Sequence, residues 1–242
     1  MITTHEFGLI GKNISYSFSK NFFEEKFKKL MLNNYSYSLF DLESIEEVEE
    51  LFKNPNLRGF NVTQPYKQQI IPYLDELSPE AAEVNAVNTV LIKDGKKIGY
   101  NTDIYGFEKS LKLFINNQPK KALVLGDGGA AKAVKYVLEK NNIPHQTITR
   151  KSHPTFSDVD SNLVKDHEII IQCTPVGTFP NTESCVDFPF EGIGKQHLVI
   201  DLIYNPSQTL FMKNSSKFGA KTLNGLYMLE MQAEKAWEIW RF

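Results

Sequence analysis

The chain has 242 residues and a formal net charge of −2, with 27 Lys and Arg against 29 Asp and Glu. The signs are interspersed, so no basic field exists of the kind that recruits nucleic acid or an anionic membrane surface. Two cysteines cannot build a disulfide framework, and five histidines show no metal-ligand spacing, which suits a cytoplasmic protein without a metal. The opening MITTHEFGLIGKN has too short an apolar run for a signal peptide, and no stretch approaches bilayer length.

Short apolar runs alternate with helical patterns almost from end to end. EFGLIG reads as a strand, and FSKNFFEEKFKKLML places Phe22, Phe23, Phe27 and Leu30 on one helical face. YSYSLFDL alternates as a second strand, SIEEVEELF follows as a helix, and RGFNVT is a third strand. This order predicts βαβ units and a mostly parallel sheet. Asp94-Gly95, between VNTVLI and KKIGY, is a hairpin signal that adds one antiparallel pair. A helix from Tyr105 to Phe114 ends at NNQPKK, and a new βαβ series starts at KALVLGDGG. Its strands are ALVLG, HQTITR, EIIIQCT and LVIDLIY, with a helix over Ala130 to Lys140 and only a compact segment between Arg150 and Glu168. LYMLEMQAEKAWEIW is one long amphipathic helix. The fold class is therefore α/β with two domains. Residues 1–103, joined by a C-terminal helix over 224–242, form an open, mostly parallel unit. Residues 104–223 form a Rossmann-like unit.

Gly126-Asp127-Gly128-Gly129-Ala130 follows a strand and opens a helix. Glycines there let backbone N–H groups approach a pyrophosphate at the helix N-terminus, although an ordinary tight turn uses the same residues. An NAD site wants an acidic residue at the end of the next strand, to accept from the ribose 2′-hydroxyl. That strand ends in Thr149-Arg150-Lys151, two cations and no acid. The pair is either a solvated basic turn or a seat for a 2′-phosphate. Coupled to the glycine loop it points to NADP. Asp127 opposes a pyrophosphate unless its side chain turns outward.

Ligands of open parallel sheets lie beyond the carboxyl ends of the strands. GFNVTQPYK ends such a strand in Asn61 and Thr63, and Pro65 releases the chain before Lys67. Taken alone, Lys67 reads better as a solvated lysine opening the helix at KQQIIPYL. Asn88 in AVNT is polar inside an apolar run, and Asp103 in NTD sits at the end of the hairpin. Ser17 and Ser19 are placed as helix caps or as ligand hydroxyls. Gln232 interrupts the last helix beside Met228 and Met231. Together these are the donors and acceptors that a small polyhydroxylated acid needs.

Seven segments in order, GKNISYSFSK, GFNVTQPYK, AVNT, YNTD, LGDGGAA, DLIYNP and NGLYMLEMQ, resemble the shikimate dehydrogenase family over nearly the whole chain. The resemblance implies reversible reduction of 3-dehydroshikimate to shikimate with NADPH, in the supply of chorismate and aromatic amino acids. It assigns Ser17 and Ser19 to the substrate carboxylate, and Thr63, Asn88, Asp103 and Gln232 to the ring hydroxyls. Lys67 with Asp103 is the implied catalytic pair, and Tyr204 is expected near substrate and nicotinamide. Gly225, Met228 and the loop of Thr174 border the nicotinamide; Arg150, with Lys151 beside it, faces the 2′-phosphate. No metal is required, because lysine supplies the electrophilic assistance. The family commonly has His at Tyr16, Pro at Lys20, Gly at Asn85 and a small or neutral residue at Asp127. Two alternatives remain open on sequence: a quinate/shikimate dehydrogenase using NAD or NADP, and a non-catalytic ligand sensor. The chain is expected to be a monomer or a weak homodimer.

Overall fold

A computed structural model describes residues 4–14, 17–114, 120–151 and 153–241; Ser15 and Tyr16 of the first motif lie outside them. Cα packing divides the chain into two units, Met1–Thr102 with Gln232–Phe242, and Asp103–Met231. Each is an α/β layer structure of its own.

The first unit holds a six-stranded sheet in the order β2-β1-β3-β5-β6-β4. Strands β1 (His5–Gly11), β2 (Tyr35–Asp41) and β3 (Leu57–Val62) run parallel, with β1 in the middle. β5 (Thr89–Lys93) and β6 (Lys96–Tyr100) form the hairpin at Asp94-Gly95, whose φ values of 52° and 77° need the residue types present there. One antiparallel pair was expected, and there are two. β5 lies between β3 and β6 and runs against both, while the short β4 (Glu76–Leu77) is parallel to β6.

Helix α1 (Phe18–Lys29) starts where the Ser17 hydroxyl accepts the N–H of Ser19, satisfying one of the orphan donors of the first turn. Phe23 and Phe27, one turn apart, are fully buried, but Leu30 is 48% exposed, against expectation. Leu30 is the C-cap, and the chain turns away at Met31 with φ 56°, so Leu30 no longer lies over the buried stripe. SIEEVEELF is a 3₁₀ turn over Ile45–Glu47 that tightens into the four-residue helix α2 (Val48–Leu51). Helix α3 (Pro79–Val84) is capped by Ser78 and ends at Asn85 in the left-handed region, φ 49°. Glycine adopts that conformation most readily, and asparagine is the next residue to tolerate it.

One face of this sheet is an aromatic cluster: Phe7, Phe23, Phe27, Tyr37, Trp237 and Trp240. The last two come from α8 (Leu226–Trp240), the helix at the C-terminal end. Trp240 Nε1 donates to the Val90 carbonyl at 2.9 Å and lies so close over Gly59 that a Cβ there would stand 2.5 Å from it. Burying each large aromatic side chain contributes on the order of 1.5–3 kcal/mol, so this cluster anchors the helix to the sheet.

The second unit is an all-parallel five-stranded sheet, order β11-β10-β9-β7-β8. Its strands are β7 (Ala122–Leu125), β8 (His145–Ile148), β9 (Ile169–Gln172), β10 (Leu198–Asp201) and β11 (Lys221–Leu223). β7, β9 and β10 are buried throughout, as strands covered on both faces must be. Helix α4 (Asp103–Lys112) opens the unit at Asp103 rather than at Tyr105. Helix α5 (Gly129–Lys140) follows β7, and α7 (Leu210–Lys217) precedes β11. Among the described residues between Arg150 and Glu168, the helical structure is a 3₁₀ turn over Phe156–Asp158 and the five-residue α6 (Ser161–Lys165). The division of the chain falls inside α8: Leu226–Met231 belongs to the second unit and Gln232 onward to the first.

Candidate active site

At the carboxyl end of β3, Asn61 is 4% exposed and all of its amide hydrogens are used. Its Oδ1 accepts from the Tyr37 hydroxyl at 2.8 Å. Its Nδ2 donates to the Asn88 carbonyl at 3.3 Å and to Thr89 Oγ1 at 3.1 Å. Asn88, at the entry to β5, turns its Oδ1 toward Thr102, accepting from the Thr102 N–H at 2.7 Å and from its hydroxyl at 3.1 Å. Gln232 reaches the same cluster from α8: its Oε1 accepts from Thr102 Oγ1 at 3.3 Å and from Asn88 Nδ2 at 3.5 Å. Asn88 and Gln232, chosen from the sequence as ligand groups, are thus side by side. Asp103 is the next residue after Thr102, 7% exposed, and begins α4. It is a helix N-terminal residue rather than a hairpin end, where a carboxylate complements the helix dipole.

Lys67 is half-buried in a run of turns before the 3₁₀ helix Ile71–Tyr73, so it does not open an α-helix. Its carbonyl accepts the Val87 N–H at 2.7 Å, which sets the Lys67 backbone beside Asn88. Thr63 is half-buried; its N–H donates to the Ile10 carbonyl at 2.9 Å and its own carbonyl accepts the Tyr66 N–H at 3.0 Å. Ser17 fills its capping role, and Ser19 is buried. Burial pushes the Tyr37 hydroxyl well above the ordinary tyrosine range, so it stays protonated and donates. Sequence reasoning assigned no role to Tyr37, Thr89 or Thr102, and placed Asn61 at the strand end without one. The signal available was a tyrosine at the inward position of an alternating strand. Among the described residues, Asn101 Oδ1 is a buried side-chain atom without a hydrogen-bond partner; its Nδ2 donates to the Ala86 carbonyl at 2.9 Å.

The second unit builds its candidate site from backbone. Gly126 leaves β7 with φ 107°, and its N–H donates to the Ile148 carbonyl at 2.8 Å. A Cβ there would stand 3.1 Å from Thr174 Cγ2, so the glycine lets the loop after β9 pass close. Gly128 is the N-cap of α5 with no capping side chain, and a Cβ on it would meet nothing within 4 Å. No acidic residue lies in the first turn, formed by Gly129, Ala130 and Ala131. An uncapped N-terminus on a twelve-residue helix, beneath open space, fits a phosphate or pyrophosphate. Asp127, between Gly126 and Gly128, is exposed.

Strand β8 lies against β7 with Ile148 opposite Leu125, so the residues after Ile148 flank the glycine loop. Thr149 pairs with Thr155, and its hydroxyl accepts the Lys151 N–H at 3.3 Å, holding the turn in which Arg150 and Lys151 are exposed. Thr174 follows β9, and its N–H donates to Gln172 Oε1. Gly225 donates its N–H to the Ile203 carbonyl at 3.0 Å and accepts from Leu229, just below buried Met228. Tyr204 is 40% exposed on the same loop as Ile203, and partial burial raises its hydroxyl pKa. That loop is tied by Asp201, a fully buried carboxylate which accepts from Thr209 Oγ1 at 2.6 Å and from the Ile203 N–H at 3.0 Å. Burial pushes Asp201 up to about 6 despite those bonds. Burial likewise raises the Cys173 and Cys185 thiols, the latter to about 11, so neither is an activated nucleophile.

Residues 9–90 match the family described as the shikimate dehydrogenase substrate binding domain. An NADP(+) shikimate dehydrogenase of Methanococcus maripaludis is 40% identical over 256 aligned positions, covering 96% of this chain and 90% of that one. A crystal structure of a shikimate dehydrogenase in complex with NADP+ superposes with a TM-score of 0.86 at 35% identity, covering 98% of this chain and 90% of the other. The Thermus thermophilus shikimate 5-dehydrogenase in complex with NADP(H) and shikimate gives a TM-score of 0.87 at 29% identity, covering 98% and 93%. Likeness of this extent reaches past the substrate-binding domain into the glycine loop and the last helix. The chain belongs to the shikimate dehydrogenase family of oxidoreductases.

Proposed function

We propose that the chain interconverts 3-dehydroshikimate and shikimate with NADP(H), in the cytoplasm, with Lys67 and Asp103 as its catalytic pair. The observation that carries this reading is the joining of Asn88, Thr102 and Gln232 in one buried hydrogen-bonded cluster, with Asp103 next in the chain. Residues 1–103, with the C-terminal helix, act as the substrate domain, and residues 104–223 as the cofactor domain. Ser17 and Ser19 take the substrate carboxylate. Thr63, Asn88, Asp103 and Gln232 take the ring hydroxyls.

NADP(H) is held by the amides around Gly126, Gly128, Gly129 and Ala130, with Arg150 and Lys151 at its 2′-phosphate. Thr174, Gly225 and Met228 border its nicotinamide, and Tyr204 sits near substrate and nicotinamide. When bound, NADPH supplies a hydride to the C3 carbonyl carbon of 3-dehydroshikimate. Lys67 donates a hydrogen bond to the carbonyl oxygen as negative charge develops there, and then transfers a proton to it. In the reverse direction neutral Lys67 takes the C3 hydroxyl proton. Asp103 orients the lysine nitrogen. The acid-free end of β8, followed by exposed Arg150 and Lys151, supports NADP over NAD.

The test is an absorbance assay of the purified protein with shikimate and quinate, each with NADP and with NAD. Turnover of shikimate with NADP well above the other three combinations is expected. Preference for quinate or for NAD would move the chain to the quinate/shikimate dehydrogenase reading. Saturable shikimate binding with no turnover would identify a ligand sensor.

A further inference from the structure

Tyr37 is 3% exposed, and its ring stacks on Phe23 with centroids 4.7 Å apart and planes at 11°. A phenylalanine would fill that space equally well. The hydroxyl is what calls for a reason, because it is buried at the edge of an aromatic cluster and meets a polar group there. It donates to Asn61 Oδ1 at 2.8 Å.

The bonds beyond Asn61 have a direction. With Oδ1 taken as acceptor, the Asn61 NH2 donates to Thr89 Oγ1 at 3.1 Å and to the Asn88 carbonyl at 3.3 Å. The Thr89 hydroxyl, having accepted, gives its proton to Asn88 Oδ1 or Thr102 Oγ1, each 3.2 Å away. Thr102 in turn reaches Gln232 Oε1 at 3.3 Å. The Asn88 amide is held at both ends: its Oδ1 also accepts the Thr102 N–H at 2.7 Å, and its Nδ2 donates to Gln232 Oε1 at 3.5 Å. A side-chain network bonded in this way fixes the positions of both amides.

We propose that Tyr37 is a positioning residue for substrate recognition: its hydroxyl holds the Asn61 amide, which braces the hydrogen-bond chain through Thr89 and Thr102 to Asn88 and Gln232. The proposal deepens the shikimate reading and rests on it. Removing the hydroxyl leaves Asn61 Oδ1 a buried acceptor that has lost its donor.

Tyr37→Phe keeps the ring and its stacking on Phe23. Its KM for shikimate should rise about three- to tenfold, with kcat within about twofold of wild type and the KM for NADP unchanged. Thr89→Val should move KM the same way, and Thr89→Ser should restore it, since only the hydroxyl carries the chain. A shikimate KM that stays at the wild-type value in Tyr37→Phe, even with a lowered Tm, would reduce Tyr37 to core packing and overturn the proposal. If the wild-type protein does not turn over shikimate in the same assay, the functional reading has failed instead. The chain of bonds is then read without ligand, from the side-chain amide NMR resonances of Asn61, Asn88 and Gln232. All three should shift or broaden in Tyr37→Phe, and movement of Asn61 alone would overturn the relay.

Discussion

The polar side chains that meet in the first unit use their hydrogen bonds largely on one another, whereas the glycine loop of the second is flanked by cations that face outward. Asn61, Asn88, Thr89, Thr102 and Gln232 are all under 9% exposed and joined into one network of neutral groups. The second unit offers an uncapped helix, exposed Arg150 and Lys151, and the buried carboxylates Asp103 and Asp201. A small neutral-to-acidic ring needs donors held at fixed angles, and a satisfied network supplies them without reorganisation. A phosphate-bearing cofactor needs charge and backbone N–H groups, which work from an open loop. Alterations in the first unit should therefore act on geometry, and those in the second on charge.

The largest expected effect tests whether the first unit also holds the proton-transferring group. Lys67→Met keeps an apolar stem of similar length and removes the nitrogen. Its kcat should fall by roughly 10²–10⁴-fold while shikimate binding changes little. A raised KM with kcat intact would make Lys67 an attractor for the anionic substrate and nothing more.

Next comes the buried carboxylate Asp201 of the second unit. Folding lifts Asp201 from 3.8 to about 6, so between those values the folded chain keeps a proton that the unfolded chain has released. Stability from this group is full below its unfolded pKa and is lost as pH rises through the folded one, by up to about 3 kcal/mol. Asp201→Asn keeps a neutral acceptor for the Ile203 N–H and should remove that loss. Urea midpoints at acid and neutral pH measure it, and equal pH slopes for variant and wild type would refute the account.

Arg150→Ala should weaken NADP by an amount on the order of 1.5–3 kcal/mol and leave NAD nearly untouched. Equal losses with both cofactors would show that Arg150 does not face the 2′-phosphate. The smallest effect is predicted for Gln232→Ala, a neutral contact equal in ground and transition states. It should raise the shikimate KM by about fivefold at constant kcat, a loss of roughly 1 kcal/mol. An unchanged KM would remove α8 from substrate recognition.

Much of this was legible locally. Period-2 and period-3.6 patterns gave the strands through LVIDLIY and the stripe of Phe23 and Phe27, because side-chain direction within one element depends only on its own backbone. The glycine loop was readable for the same reason, since φ 107° at Gly126 is a property of one residue. Leu30 was misplaced because its helical pattern continues one residue past the last turn, and only the C-cap and the turn at Met31 reveal the end. The three-residue β11 was missed because KTL is too short to carry a period and is a strand only by pairing with β10.

The sequence by itself determined the two α/β series, the glycine loop with its cationic neighbour, and the ordered motifs of the family. Only the tertiary structure decided which polar groups face each other. Tyr37 in β2 and Asn61 in β3 are separated by the whole width of β1, whose Phe7 pairs with Tyr37 and whose Leu9 pairs with Asn61. Gln232 meets Thr102 across 130 residues of chain. Alternation says that a tyrosine points inward, but the hydrogen bond it makes depends on strand order and register, and these are set by the packing of distant segments.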